Sequence, residues 1–255
     1  MSETAPFPNP TPVRVRTTRP ILPFPPSASR PSVQTDRLTV RPFAASDLEA
    51  LHVLLSEPAG AAQSSTGRPA GSSDPATTET RARLADYVRG ATSYQCAAVL
   101  RDTGALVGAG GVRSSSGSDN LKLKLFFGWP EIGYGVAGQH WGQGLATEFL
   151  AAWLELYFGR DVPRAEVEVE VDARSLSATV GDGDGDVGEV RTVPERVTAM
   201  VEAGNVASRR VLEKNGARPF VEWTLRDPRE GFAGREVEVV GYVLERPAAT
   251  PDGAR

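Results

Sequence analysis

Apolar positions recur along this chain with two periods, and the order in which the periods alternate predicts its elements. Leu38 and Val40 alternate with polar neighbours as a strand ended by Pro42 and Phe43, and Ser46 stands where it caps a helix carrying Leu48, Leu51, His52 and Leu55 on one face. A loop rich in Gly, Ala, Ser, Thr and Pro covers 59–78, and Glu79 to Arg89 reads as a second helix. Strand patterns follow over Tyr94 to Arg101 and Ala105 to Arg113, joined by the turn Asp102-Thr103-Gly104, and over Leu121 to Phe127, where Leu alternates with Lys. Glu131 to Ala137 is the next strand. From Leu145 onward, Leu145, Phe149, Ala152, Trp153, Leu156 and Tyr157 fall at helical spacing and predict a long helix. Residues 196–202 read as a strand, Asn205 to Asn215 as a helix stopped by Gly216, and 219–225 and 236–245 as two final strands.

Three stretches fall outside this pattern. Residues 1–33 combine many prolines with Arg14, Arg16, Arg19 and Arg30 and are predicted to be a disordered Pro/Arg-rich tail, as are residues 248–255 at the other end. The arginine excess also fits a mitochondrial transit segment, but the prolines break the amphipathic helix such a signal needs. Residues 160–194 read as an acidic insertion, in which Glu166 to Val171 alternates Glu and Val as an edge ribbon and Gly181 to Asp186 repeats Gly-Asp three times. Asp182, Asp184 and Asp186 have calcium-loop spacing. Val187, however, takes the required glycine position and Val193 that of the bidentate acid, so no metal is expected. Because the insertion leaves from the far end of the long helix, it is expected to lie away from the helix's N-terminus.

Composition narrows the function. Of 255 residues 40% are hydrophobic, enough for a sizeable core, and the net charge of -4 gives no global attraction to nucleic acid or an acidic membrane. No apolar run approaches the roughly 20 residues that span a bilayer. The single Cys96 forbids an intrachain disulfide and leaves too few thiolates for a structural zinc, which fits a reducing, cytoplasmic setting.

The candidate chemistry sits in Gln139-His-Trp-Gly-Gln-Gly-Leu-Ala146, between a strand and a helix. Gly142 and Gly144 let the backbone bend tightly and turn several N–H groups toward one anion, and the following helix adds its positive end. A phosphate-bearing cofactor is therefore predicted. Gly133, Gly135 and Gly138 also satisfy G-x-G-x-x-G, but the helix starts too late for a dinucleotide fold, and no nucleoside-triphosphatase loop occurs.

The spacing Gln139-x-x-Gly142-x-Gly144, after Glu-Ile-Gly-Tyr and before Asn205-Val-Ala-Ser208-Arg-Arg-Val-Leu-Glu-Lys-Asn-Gly216, resembles the GCN5-related N-acetyltransferases (GNAT), in particular the RimJ/RimL-like branch. Thr35-Asp-Arg-Leu-Thr-Val-Arg-Pro-Phe43 and Asp47-Leu-Glu-Ala-Leu51 resemble that branch's first strand and helix. The resemblance implies one α+β domain over 34–247: a mixed, mostly antiparallel sheet of about seven strands, flanked by helices and splayed between two central strands. It implies acetyl-CoA as cosubstrate, with the pyrophosphate on the amides of Gln139, Trp141, Gly142, Gln143, Gly144, Leu145 and Ala146. Amides near Val136 and Ala137 are expected to pair with pantetheine, one of them facing the thioester oxygen.

Family roles fall residue by residue on other positions. Asn205 caps its helix and, by resemblance, also reaches pantetheine; Ser208 faces the thioester sulfur, or else is a small packing residue. The tyrosine that many relatives use as acid corresponds to Leu212. Glu131 is the candidate base, with a hydrogen bond to a neighbouring strand as its other reading, and Tyr134 is a second catalytic candidate that also suits core packing. Trp141 is a packing anchor or a wall of the cofactor groove. His52 reads as a satisfied helix-face histidine, and Cys96 has no partner for nucleophilic chemistry. The implied reaction is direct acetyl transfer to a primary amine, a peptide N-terminus or a small molecule, by a monomer or homodimer. The alternative is a noncatalytic acyl-CoA-binding or regulatory module of the same fold.

Overall fold

The alternation is realised in a computed structural model that describes residues 9–62, 78–112, 125–176, 190–227 and 235–247. The elements are β1 (Pro12–Pro20), β2 (Val33–Gln34), β3 (Leu38–Pro42), α1 (Leu48–Ser56), α2 (Pro58–Ala62), α3 (Thr78–Arg89), β4 (Tyr94–Leu100), β5 (Leu106–Val112), β6 (Leu125–Phe126), β7 (Trp129–Pro130) and β8 (Ile132–Val136). They continue as α4 (Leu145–Phe158), β9 (Arg164–Asp172), β10 (Arg191–Thr192), β11 (Arg196–Glu202), α5 (Val206–Lys214), β12 (Arg218–Arg226) and β13 (Glu236–Glu245).

Two antiparallel half-sheets, β2-β3-β4-β5-β8 and β11-β13-β12, form the middle layer. They meet at a parallel bridge between Glu131 and Thr198, beyond which no ladder joins β8 to β11 among the described residues. This is the mixed α+β sheet with a splay between two central strands. Helices α4 and α5 cover one face: Phe149, Leu150, Trp153, Tyr157 and Leu212 join Leu38, Tyr94, Ile132, Val197 and Tyr242 in the largest buried cluster. On the other face Leu51 of α1 and Leu84 and Tyr87 of α3 pack with Phe43 and Ala97. Gly110 lets α4 close on the sheet, since a Cβ there would stand 2.7 Å from the Phe149 ring and 2.6 Å from the Tyr134 Cβ. No helix among the described residues is long and apolar enough to cross a membrane.

The N-terminal region departs from the expected disorder. Residues 12–20 form β1, which pairs along its whole length with β9 of the insertion, from Pro12 opposite Asp172 to Pro20 opposite Arg164, while β10 adds to its other edge. The reason is complementarity. Val13, Val15 and Thr17 alternate with Arg14 and Arg16, so one face is buried, and the register sets Arg14 opposite Glu170 and Arg16 opposite Glu168, the latter pair 3.0 Å apart. Neither segment has a partner within its own stretch of sequence. The Glu/Val ribbon thus lies at a sheet edge as expected, but it is built with the tail.

Smaller differences have local causes. Ser46 does not cap α1: a short 3₁₀ turn over Ala45–Asp47 intervenes, and the Asp47 carboxylate accepts from the Ala44 amide at 2.8 Å and pairs with Arg41. The expected loop over 59–78 begins helical, since α2 runs from Pro58 to Ala62. The Gly-Asp repeat at 181–186 and residues 121–124 of the Leu/Lys run lie outside the described residues.

Candidate active site

The gap between β8 and β11 is lined by main chain. Ala137 donates its N–H to Val107 O at 2.8 Å, so the alternate residues Ile132, Tyr134 and Val136 turn their N–H and C=O groups away from β5 and into the gap. Of the two amides expected to face pantetheine, that of Ala137 is therefore engaged with β5, and Val136 keeps the open position. Its carbonyl takes the Trp141 indole N–H at 2.6 Å, which pins the half-exposed ring beside the gap.

At the open end of the gap the chain enters the glycine bend. Gly142 and Gly144 have φ of 74° and 81°, the left-handed region where only glycine sits without strain, and a Cβ on Gly142 would meet nothing within 4 Å. The first helical amide bonded inside the chain is Glu148, to Gly144 O at 3.1 Å, so among the described residues those of Gly142 to Thr147 remain as orphan donors at the positive end of α4. Trp141 is different: its amide donates to Gly138 O at 3.0 Å in a turn, so it is not one of these open donors. Gln139, Gly142, Gln143 and Gly144 are all exposed. These open donors fit a diphosphate.

Four side chains missed in the sequence shape this bend. Arg37 donates to Gln143 O at 2.7 Å and pairs with Glu148 at 2.6 Å, and Thr35 donates to the same carboxylate. Burial works to raise the Glu148 pKa, but the hydrogen bonds from Thr35 and Arg37 outweigh it and hold the carboxyl below its usual range. Glu57, at the end of α1, accepts the Gly138 amide on both oxygens at 2.9 Å. Beside it opens a groove of about 530 Å³ lined by His52, Val53, Glu57, Leu106, Ala137 and Gln139. Arg37 stood inside the Thr-Asp-Arg motif; nothing local marks its partner more than 100 residues on.

Across the gap from the cradle, α5 is entered by Asn205, whose side chain accepts the Ser208 amide at 3.1 Å as the expected cap. The Tyr134 phenol oxygen lies 3.1 Å from Ser208 Oγ and 3.2 Å from Ser208 O, so two of the candidate catalytic residues are brought together. Burial pushes the Tyr134 pKa up to about 12, with Ser208 opposing and Tyr242 adding to the rise. Leu212 is fully buried in the core. Glu131 stands at the closed end beside Thr198, and pleat alternation directs it to the face opposite Tyr134, toward α1 and α3.

The remaining candidates are inert in this geometry. His52 is buried between Thr80 Oγ1 at 2.9 Å and Ser56 Oγ at 3.3 Å. Cys96 is buried, and burial pushes its thiol up to about 12, which removes it as a nucleophile. No group of three or more metal-ligating side chains occurs among the described residues.

A family profile described as an acetyltransferase (GNAT) domain matches residues 37–218. A comparison with curated proteins returns no significant match. Among solved structures, a GNAT-family acetyltransferase from Bacillus anthracis is similar at a TM-score of 0.55 and 20% identity, over 85% of this chain and 99% of that one. The ribosomal-protein-S5-alanine acetyltransferase from Vibrio fischeri has a TM-score of 0.56 at 14% identity, over 87% and 100%. A spermidine N-acetyltransferase from Vibrio cholerae, solved with CoA and spermine, has a TM-score of 0.53 at 12% identity, over 83% and 97%. With the profile covering well over half of its length, the chain belongs to the GNAT acetyltransferase domain family.

Proposed function

We propose that this protein transfers an acetyl group from acetyl-CoA to a primary amine in a ternary complex, in the manner of the RimJ/RimL-like branch. The observation that carries the reading is the gap itself: one strand bridge closes it at Glu131, and orphan amides from Gly142 to Thr147 crown its other end. In this reading the cradle amides with Gln139, Leu145 and Ala146 hold the pyrophosphate, the main chain of Val136 and the cap Asn205 border pantetheine, and Trp141 walls the gap.

The two faces divide the chemistry. Glu131, on the α1 and α3 face, takes the proton that an alkylammonium must lose before it attacks, directly or through water. Nitrogen then bonds to the thioester carbon, and an amide of β8 facing the gap steadies the oxyanion. On collapse the carbon–sulfur bond breaks and the thiolate leaves toward Ser208. When Tyr134 donates to Ser208 Oγ, the serine O–H is free to point at sulfur. With its pKa at about 12 the phenol is a poor proton source at neutral pH, so the pair acts as a hydrogen-bond donor and water completes the protonation.

The acceptor is a peptide N-terminus or a small amine. Relatives of this fold are named for a ribosomal-protein alanine and for spermidine, so the scaffold accommodates both kinds. The buried Leu212 favours one competing reading, a noncatalytic acyl-CoA-binding module. An acetyl-CoA-dependent mass-shift and thiol-release screen over peptides and small amines decides between them. Acetylated product with stoichiometric thiol supports the enzyme; tight acetyl-CoA binding with no product across the panel supports the module.

A further inference from the structure

The β1-β9 sheet closes on a single residue. Val15, Val171 and Val193, with Val13, Val169 and Leu176, surround Trp129, which is fully buried. The Trp129 indole N–H donates to Ser175 Oγ at 2.8 Å, and that hydroxyl donates onward to Asp172 O at 2.6 Å, so the serine is held on both sides. The same turn is tied at three more points. Arg19 of β1 donates to Gly128 O, Asp172 donates its amide to Phe127 O at 3.1 Å, and the Arg196 guanidinium lies 5.7 Å from the centre of the Trp129 ring. Ser175 O also accepts from Arg218, which docks this sheet on the second half-sheet.

Trp129 stands two residues before Glu131. Pro130 between them accepts a hydrogen bond from Thr198 Oγ1 at 3.3 Å, and Glu131 makes the bridge to Thr198. The start of β8 is thus clamped between the core and a sheet assembled from the N-terminal strand and the insertion. No hydrogen bond or ion pair of this sheet reaches the glycine bend among the described residues.

We infer that Trp129 and Ser175 are positioning residues for Glu131, and that the N-terminal strand and the inserted strand exist in this fold as the brace that seats them. The inference rests on the reading of Glu131 as base. An indole N–H without its acceptor is a buried unsatisfied donor, and the strain falls on the strand that carries Glu131 rather than on the cradle.

Two variants of the full chain test this. Ser175→Ala removes the acceptor, and Trp129→Phe keeps a ring in the cavity while removing the donor. Amide hydrogen exchange is expected to quicken several-fold in both over residues 131–136, with residues 142–150 unchanged. Turnover should fall about tenfold with the KM for acetyl-CoA within about twofold, and the acid limb of the turnover profile should shift from that of the parent protein. Unchanged exchange at 131–136 in both variants overturns the inference, as does unaltered turnover in both where Glu131→Gln lowers it. Failure of the base assignment shows separately, as a Glu131→Gln protein with undiminished turnover.

Discussion

The two ends of β8 are built on opposite principles. At its beginning, Trp129 is enclosed by side chains from β1, β9 and the turn at Ser175 and has no exposed surface, and Glu131 beside it is tied to β11 by the bridge to Thr198. At its end, Gly142 and Gly144 are open, and few side chains steady the bend: the Trp141 indole, Glu57 and Arg37. The difference matches the work proposed for each end. A general base must be held to a fraction of an ångström, which takes packing, whereas a diphosphate is held by many small dipoles, which takes exposed main chain.

Substitutions that strike one end and spare the other test this division. Glu131→Gln should lower turnover by about 10²- to 10⁴-fold at saturating acetyl-CoA, the usual contribution of a general base, with affinity for acetyl-CoA unaltered in a calorimetric titration. Gly144→Val should do the reverse. Its left-handed backbone strains any β-branched residue and the amides lose their alignment, so acetyl-CoA affinity should fall by about a hundredfold. Trp129→Ala removes a fully buried aromatic at the closed end and should cost about 3–5 kcal/mol, lowering Tm by on the order of 10 °C in a thermal melt. A melt unchanged by that variant would show that the closed end is not a clamp.

Tyr134→Phe loses only the hydrogen bonds to Ser208. Turnover should drop by about two- to tenfold with acetyl-CoA binding intact, as measured by steady-state kinetics. The smallest effect concerns acid. Burial works to raise the Asp172 pKa, but Arg174 and the amides of Arg174 and Thr11 outweigh it, so the folded-state value lies below the ordinary one. Its ionised form therefore adds stability that is complete above the unfolded pKa, near 4, and is lost as pH falls through the folded value. Asp172→Asn should flatten the acid side of a stability-against-pH curve below about pH 4 and leave the neutral region lower but parallel.

The same contrast explains what was legible in the sequence. The open end is local: Gly142, Gly144 and the helix after Leu145 lie within a few residues of one another, so their spacing announced a bend and the family, and the anion chemistry proposed above rests on that same spacing. The half-sheets followed from strand-like runs such as Leu38 to Val40 and Tyr94 to Arg101. The closed end is non-local. Val13-Arg-Val15-Arg-Thr17 carried a strand period, but proline-rich flanks outweighed it, and its partner Val167-Glu-Val169-Glu-Val171 lies some 150 residues away. Trp129 to Ser175 and Arg37 to Glu148 are of the same kind. Ala137 and Trp141 were placed in the right segment, but which amide faces the gap depends on strand register and turn geometry that spacing alone does not carry.

The most direct measurement is a calorimetric titration of acetyl-CoA into the parent protein, Gly144→Val and Glu131→Gln side by side. The expected result is matching heats for the parent and Glu131→Gln and a binding curve lost or displaced by about a hundredfold for Gly144→Val. Equal affinity in all three proteins would contradict the assignment of the glycine bend as the diphosphate cradle.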